Sequence, residues 1–462
     1  MTQPFNLQGD KAALVALVLL GIACRAIVWN IYQPAVYPDS HTYTELASQI
    51  ATLNFVGYEG WRTPGYPLLL LITGGNLRAL WLAQAALGVL GSVVLYRLVL
   101  RYTGTVLLAF AAGACHSLAL NQVFLEASVL SESMAAFCVV VCVALSLRAM
   151  RDGASALHGI LAGSVTALAA LTRPLYIFLV PLFILLLFMH RRHVKVTVLA
   201  GYTLAAALPV LGWMLFNQMT VGYFGMSTMT GYNLSTHSGR FIEKASDKYA
   251  TIRDIYLKHR AEQLKVAKTS SFTIFYARDE IKAKTGLSEA DLSRELEKMS
   301  KELFIQHPGL YLRSVVEAWL SFWPVPNYWQ RDKLTSDRLA GVLDIVWKGE
   351  RYILIGLNMI CVLAGALILL RAVARPFHIV ATEEFPLVLA CTVLGSSILT
   401  AAVVFGENPR YSIPTQPLAT TLALLALWRG WRAWLDRSEA LRLGPHTNGQ
   451  APDPLVSLRL PK

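Results

Sequence analysis

Long apolar stretches recur along most of the chain and are separated by short polar segments. Each stretch is close to the ~20 residues that an α-helix needs to cross about 30 Å of hydrocarbon. The pattern therefore predicts an all-α polytopic membrane protein with about ten transmembrane helices. The predicted spans are residues 11–31, 77–98, 104–122, 129–148, 157–171, 174–190, 194–216, 352–370, 385–405 and 411–428.

Two regions of this pattern allow more than one interpretation. Residues 157–171 and 174–190 flank Arg173-Pro174 and fit either two short spans or one re-entrant pair. The first apolar stretch carries Arg25 late in its run and is followed by no small-residue cleavage site. We therefore interpret that stretch as a transmembrane helix and not as a cleaved signal peptide.

Lysines and arginines predict the orientation of these spans. Cytoplasmic loops of membrane proteins carry an excess of both residues. The prediction is a multi-pass protein of the bacterial inner membrane with both termini in the cytoplasm. Its parts are an N-terminal transmembrane module (1–216), an extracytoplasmic region (217–351), C-terminal transmembrane helices (352–434) and a cytoplasmic tail (435–462). The basic residues that fall on one side are Arg97, Arg101, Arg148, Arg151, Arg191, Arg192, Lys195, Arg371, Arg375, Arg429 and Arg432.

The opposite side receives two longer segments. The first outer loop, 32–76, has short helical patterns at 40–53 and 64–73, and such helices usually lie in the membrane interface. The second, 217–351, is predicted to be a small α-rich region. Within it, Ser288 and Asp291 form a variant of the capping box that opens a polar helix near 288–305. Residues 310–323 are amphipathic and aromatic, which predicts an interfacial helix.

Composition agrees with a membrane protein and excludes several other classes. The 462 residues are 55% hydrophobic and only 15% charged, against roughly 25% charged in soluble proteins. The net charge of +12 lies largely in the predicted cytoplasmic loops, so it indicates orientation and not nucleic-acid binding. The six cysteines all fall in apolar spans, which predicts no disulfide scaffold. No cofactor is predicted to be required; a divalent metal could bind Asp39 with a glutamate, but nothing requires it.

Ionisable residues collect at the predicted outer surface, and none is predicted at the membrane midplane, where a transporter would need its site. A carboxylate at this surface could take the proton from an attacking hydroxyl. Arginines could bind a lipid phosphate and stabilise the charge it gains on leaving. The candidate residues are Asp39, His41, Tyr43, Glu45, Arg62, Glu126, Glu132, Arg173, Glu407, Arg410 and Tyr411.

Several short motifs resemble those of the GT-C membrane glycosyltransferases. Tyr37-Pro38-Asp39-Ser40-His41-Thr42-Tyr43, directly after the first span, resembles their acidic first-loop motif. Arg62-Thr63-Pro64-Gly65-Tyr66-Pro67 resembles a segment of bacterial members related to the protein mannosyltransferases and aminoarabinose transferases. The resemblance extends in order over nearly the whole chain. Its other motifs are Leu130-Ser131-Glu132, Thr172-Arg173-Pro174, His307-Pro308, Tyr311-Leu312-Arg313 and Pro409-Arg410-Tyr411.

The resemblance implies transfer of a monosaccharide from a polyprenyl-phosphate carrier to a hydroxyl of a lipid, glycan or protein on the extracytoplasmic face. Membrane lipid would surround the enzyme, and direct displacement would invert the anomeric centre. It implies Asp39 as the catalytic base, whereas Ser40 stands where the protein mannosyltransferases carry a second acid. Arg62, Arg173 and Arg410 are the predicted ligands of the donor phosphate. The other predicted site-lining residues are His41, Tyr43, Glu126, Glu132, Glu407 and Tyr411.

Other interpretations stay open at the level of the sequence. Asp39 could instead cap a helix, and the arginines could simply reach lipid headgroups. The whole protein could be a flippase or transporter of lipid-linked sugars, or an enzyme of the O-antigen ligase or polymerase type. A non-catalytic membrane scaffold is a further alternative, but it gives no reason for acids and arginines at one surface.

Overall fold

The computed structural model describes residues 7–191, 193–266, 270–374 and 383–442. Within these ranges the fold is helical, and extended pairing is limited to two isolated bridges, Tyr32 with Leu334 and Ala35 with Ser128. The predicted all-α class is confirmed for this part of the chain. The predicted tail beyond residue 442 lies outside the described residues, as do Arg192 and Arg375.

The N-terminal half is built mostly of long apolar helices, with a few shorter helices between them. Their ends follow the local sequence. Asn76 Oδ1 accepts hydrogen bonds from the backbone N–H groups of Arg78 and Ala79, and Gly104 ends the same helix in the left-handed conformation (φ 65°). The helices are α1 (Leu7–Ile31), α2 (Pro38–Thr52), α3 (Gly65–Ile72), α4 (Leu77–Thr103), α5 (Val106–Leu118), α6 (Leu120–Glu126), α7 (Glu132–Ala149), α8 (Ala156–Thr172), α9 (Leu179–Met189) and α10 (Val196–Val221).

The C-terminal half begins with shorter, more polar helices and ends with long ones. Ser288 Oγ accepts a hydrogen bond from the Asp291 backbone N–H at 3.2 Å, so the cap proposed from the sequence is present. The helices are α11 (Met229–Ser238), α12 (Ala250–Val266), α13 (Thr273–Thr285), α14 (Glu289–Gln306), α15 (Pro308–Phe322), α16 (Asp337–Ala374), α17 (Glu384–Val403), α18 (Asn408–Ser412) and α19 (Gln416–Arg442).

Six of the described helices are long and apolar enough to cross a membrane: α1, α4, α7, α10, α16 and α17. A seventh span results if α5 and α6, which meet at a 51° bend, are counted together. These helices mark a multi-pass membrane protein, whereas the predicted total of about ten spans stays a prediction. Residues 157–190 form two shorter helical segments that meet at Arg173-Pro174. Helix α16 begins well before the predicted residue 352, because no proline interrupts it after Asp337.

Backbone hydrogen bonds after α1 bring the starts of α2 and α7 together. The Ala35 N–H donates to the Ala127 carbonyl at 2.9 Å, and the Val129 N–H donates to the Ala35 carbonyl at 3.0 Å. The Ser40 hydroxyl then donates to the Val129 carbonyl at 2.8 Å. Because Glu132 follows Val129 by three residues, this pairing places the first turns of both helices side by side.

A buried ion pair lies among the helices of the N-terminal half. Arg25 Nη2 donates to Glu126 Oε1 at 2.6 Å, and the two side chains are 7% and 0% exposed. Gln122 Nε2 also donates to this Glu126 oxygen, at 3.2 Å. Gly88 makes room for the pair, since a Cβ there would lie 1.9 Å from Glu126 Oε1. The sequence placed Glu126 with the outer candidates, because one arginine in an apolar run gives no sign of a partner far along the chain.

Replacement of Arg25 by methionine should destabilise the fold strongly. It leaves Glu126 buried beside no cation, and breaking a buried pair from one side costs about 3–5 kcal/mol. Thermal unfolding of the detergent-solubilised protein would measure the effect. The double variant Arg25→Met/Glu126→Gln should recover much of the loss. Arg313→Met, at an ion pair whose arginine is 78% exposed, should stay within about 1 kcal/mol of wild type. Equal losses in the single variants Arg25→Met and Arg313→Met would contradict the assignment.

Candidate functional site

Asp39 is the second residue of α2, and its carboxylate does not cap that helix. Pro38 occupies the first helical position, where its missing N–H costs nothing. The Tyr37 N–H donates to Ser40 Oγ at 2.9 Å, so Ser40 satisfies the backbone at this end. The capping alternative for Asp39 is therefore wrong. The Ser40 hydroxyl, which also donates to the Val129 carbonyl, thus fixes the entry into the helix.

Two arginines from distant parts of the chain hold the Asp39 carboxylate. Arg62 Nη2 donates to Oδ1 at 2.8 Å, and Arg410 Nη1 donates to Oδ2 at 2.6 Å. Arg62 is oriented in turn by Thr42, whose Oγ1 accepts from Arg62 Nε at 2.7 Å. Its guanidinium also lies 4.4 Å from the centre of the Tyr43 ring, a cation–π contact.

Arg410 joins Asp39 to a second, fully buried carboxylate. Its Nε donates to Glu132 Oε1, and Arg173 Nη1 lies 2.7 Å from the same oxygen in an ion pair without hydrogen-bond alignment. Glu407 Oε2 lies 3.6 Å from Arg410 Nη1. Three carboxylates and three guanidinium groups thus balance one another. We call this set the acid–arginine cluster; its members are Asp39, Glu132, Glu407, Arg62, Arg173 and Arg410.

Helix α3, which follows Arg62, packs closely against the end of α8, which precedes Arg173. A Cβ at Gly65, the first residue of α3, would lie 2.6 Å from both the Leu171 carbonyl oxygen and the Thr172 nitrogen. Only glycine permits this contact. Arg173 directly follows α8, and its guanidinium lies 4.8 Å from the centre of the Tyr411 ring.

Burial is graded across the cluster. The Glu132 side chain is 0% exposed, Arg173 10% and Arg410 12%, whereas Asp39 is 34% exposed. Glu132 Oε2 has no hydrogen-bond partner among the described residues, although it is buried. Buried polar atoms are normally paired, so the cluster retains hydrogen-bonding capacity that its own residues do not use. Asp39 and Glu407, the latter 40% exposed, are the carboxylates that a ligand can reach.

The two arginines determine the ionisation of Asp39. Burial by itself would raise the pKa of this carboxyl, but the neighbouring Arg62 and Arg410 guanidinium groups outweigh it and lower the pKa to about 2. Asp39 is therefore a carboxylate at every physiological pH. A group with so low a pKa is a weak proton acceptor while both arginines hold it.

Most residues predicted for the site come together, and two do not. Tyr43 joins the cluster through Arg62, and its hydroxyl lies 3.0 Å from Ser131 Oγ. His41 is 85% exposed, because two residues along a helix turn a side chain about 200° away from Asp39. Glu126 pairs instead with Arg25, which makes it part of the helix packing. The sequence assigned both residues to the site only because they were predicted on the same side of the membrane as Asp39. The membrane side does not determine which way a side chain points.

Sequence reasoning missed Thr42 and Ser131 as parts of the site. Thr42 follows Asp39 by three residues, so both lie on the same face of α2; that spacing was the available signal. Ser131 could be found only through its contact with Tyr43. Among the described residues, no group of three or more His, Cys, Asp or Glu side chains is arranged to hold a metal ion.

The pH dependence of stability should reflect the low pKa of Asp39. A carboxyl whose pKa falls on folding stabilises the folded state above its unfolded pKa and loses this effect as pH falls through the folded pKa. We expect the difference in unfolding temperature between wild type and Asp39→Asn to be constant from pH 5 to 8. The difference should then shrink between pH 3.8 and about 2. A difference that changes mainly between pH 5 and 7 would contradict the ion pairs.

The chain was also compared with known proteins. No family model matches it, and a search of curated proteins found no match. Among solved structures it is similar to the archaeal oligosaccharyltransferase AglB from Archaeoglobus fulgidus in complex with an inhibitory peptide and a dolichol-phosphate. The similarity covers 93% of this chain, with 13% identity and a TM-score of 0.43. The chain spans only about half of that enzyme, 52% of its chain. A similarity at this level does not assign the chain to a family.

Proposed function

We propose that this protein is a membrane glycosyltransferase of the GT-C type, which moves a monosaccharide from a polyprenyl-phosphate carrier to a hydroxyl acceptor. The observation that carries the proposal is the Asp39 carboxylate, partly exposed and held between Arg62 and Arg410 at the edge of a buried charge cluster. A carboxylate beside several guanidinium groups can serve both an attacking hydroxyl and a departing phosphate.

The proposed location is the extracytoplasmic face of the bacterial inner membrane. The cluster residues lie at helix ends: Glu132 begins α7 and Arg173 follows α8. The opposite ends carry basic residues such as Arg101 at the end of α4 and Arg148 near the end of α7. The excess of basic residues favours the cytoplasm for those ends. Because nucleotide sugars are not supplied outside the cytoplasm, a lipid-linked donor suits this location.

The proposed reaction is a single displacement. The acceptor oxygen attacks the anomeric carbon while the bond from that carbon to the phosphate oxygen breaks. The hydroxyl proton passes to Asp39, and the bonding electron pair leaves with the lipid phosphate. Arg410 and Arg173, with Arg62, stabilise the charge that develops on the phosphate. Attack opposite the leaving group inverts the anomeric centre.

Phosphate binding would prepare Asp39 for its role. A phosphate that accepts hydrogen bonds from Arg410 and Arg62 competes with the carboxylate for the same donors. The nearby positive charge lowers the pKa of Asp39. When the bound phosphate partly neutralises that charge, the proton affinity of the Asp39 carboxylate rises. The base is then strongest when the donor is bound, which limits unproductive protonation of the empty site.

One observation favours a second candidate function. Arg25, Glu126, Gln122 and Gln84 form a buried polar group within the apolar helices. Polar groups buried among membrane-spanning helices are typical of transporters, so a flippase of lipid-linked sugars is the alternative. In proteoliposomes, movement of a lipid-linked sugar across the bilayer without formation of a glycosylated product would favour it.

Removal of the proposed base should abolish most of the turnover. General-base catalysis contributes about 10²–10⁴-fold, so Asp39→Asn should lower kcat by that factor in membranes supplied with lipid-linked sugar. Asp39→Glu should retain part of the activity. Asp247→Asn is the matched control, because its carboxylate is 97% exposed and far from the cluster in sequence. Turnover near wild type in a folded Asp39→Asn variant would contradict the proposed role of Asp39 as the general base.

Arg410→Lys tests the role of the planar guanidinium. Lysine keeps the charge but cannot donate to two carboxylates and a phosphate from a rigid fork. Loss of a charge-assisted hydrogen bond costs about 1.5–3 kcal/mol, so we expect kcat/KM for the donor to fall roughly 10- to 100-fold. Arg313→Lys, at a largely exposed ion pair, should leave kcat/KM unchanged. A KM effect confined to the acceptor would contradict a role in binding the donor phosphate.

A further inference from the structure

Helix α2 has a second face that points away from the acid–arginine cluster. Its buried face is formed by Ser40, Tyr43, Leu46 and Ala47. The outer face repeats at helical spacing and is polar apart from the small Ala51. A helix lying on lipid would present an apolar face instead, as α3 does with its exposed Leu68 and Ile72. The outer residues of α2 are His41, Thr44, Glu45, Ser48 and Thr52.

Two cavities run along this polar face. One, of about 360 Å³, lies between α2, the segment 57–62 and Arg278 of α13. The other, of about 490 Å³, continues along α2 toward Asn54. Both include Glu45 and Gln49 among their lining residues, so the cavities lie side by side. We call them together the α2 groove. The first has the size of a typical small-molecule site, roughly 300–1,000 Å³, whereas the second is a shallow depression open to the surface.

The groove begins beside Asp39. Thr42 and Arg62 line its first cavity, and Arg62 donates to the Asp39 carboxylate at 2.8 Å. A ligand in the groove is therefore separated from Asp39 by a single guanidinium group. A general base must lie within hydrogen-bond reach of the proton it takes, so the hydroxyl of a bound acceptor would extend from the groove past Arg62 to the partly exposed Asp39 carboxylate.

The lining residues suit a ligand that is rich in hydroxyl groups and carries no net charge. Hydroxyl, amide and carboxylate side chains supply both donors and acceptors, and Trp61 and Tyr58 add aromatic surface. Most charged groups of the wall have partners, whereas Glu45 has, among the described residues, only the exposed His41 ring at 3.9 Å. Glu59 Oε1 accepts from Lys282 at 3.2 Å, and Arg278 lies over the Trp61 ring at 4.6 Å. Trp61 Nε1 donates to Glu289 Oε1 at 3.0 Å, which fixes the indole in place.

We propose that the α2 groove is the acceptor site and that the acceptor is a saccharide. The proposal rests on the glycosyl transfer proposed above and narrows it, since that reaction allows a lipid, a glycan or a protein acceptor. A lipid acceptor would need an apolar groove, and this groove is lined mainly by polar side chains. Two adjoining cavities also accommodate more than one sugar unit.

Binding of simple saccharides to the intact protein tests this proposal. The full chain, labelled with 5-fluorotryptophan in detergent micelles, gives a ¹⁹F resonance for Trp61 that the Trp61→Phe variant identifies. The probes are methyl glycosides of hexoses and N-acetylhexosamines, and their disaccharides. We expect a saturable shift of this resonance. Its apparent Kd should rise about fivefold to tenfold in Gln49→Leu, the loss associated with one hydrogen bond. Gln306→Leu makes the same substitution at an exposed position outside the groove and should leave the Kd unchanged.

The possible results distinguish a saccharide from a peptide or lipid acceptor. They also test the groove separately from the proposed role of Asp39. No shift with any saccharide, or a shift equally strong in Gln49→Leu, would overturn the proposed site. A shift produced only by serine- or threonine-containing tripeptides, or only by phosphatidylethanolamine added to the micelles, would overturn the saccharide assignment. Because the readout is binding, it does not depend on turnover. Full activity of Asp39→Asn would refute the proposed base while the saccharide affinity of the groove remained as measured.

Discussion

The double engagement of Arg410 is the interaction on which the rest of the site depends. This guanidinium joins Asp39 near the start of α2 to Glu132 at the start of α7, across 371 and 278 residues of sequence. Charges removed from water destabilise a fold unless each has a partner. The charged side chains of the acid–arginine cluster therefore stabilise the fold only when all of them are in place. Assembly of the helices and assembly of the site are consequently the same event.

Two further interactions hold Asp39 and Glu132 in position. The backbone pairing of Ala35 with residues 127 and 129 fixes the entry into α2, and the Arg25–Glu126 pair anchors the segment that leads to Glu132. Both act on residues 126–129, the short stretch that leads from the end of α6 to Glu132. A reacting group held from several directions keeps the geometry that catalysis requires. The buried pair thus supports the site without belonging to it.

Helix α2 separates two environments. Its inner face packs against the bundle and carries Asp39 to the arginines, whereas its outer face is polar and lines the α2 groove. The periodicity of 3.6 residues explains why neighbours in sequence differ so much in role. Thr42 contacts Arg62, while His41, one residue earlier, faces outward. The proposed donor phosphate and proposed acceptor would then approach Asp39 from different sides of one short helix.

The sequence by itself determined the helical class, the existence of several membrane-crossing helices and the grouping of acids and arginines at one set of helix ends. These follow from hydrophobic run lengths and from the alternation of basic loops, which are local properties. It also identified the Ser288 cap. Only the tertiary structure decided which acid meets which arginine. Glu126 and Glu132 are six residues apart in the sequence, yet one pairs with Arg25 and the other with Arg173 and Arg410. The sequence does not show which way a charged side chain points. The rotation and packing of its helix decide that direction, and the direction decides the partner.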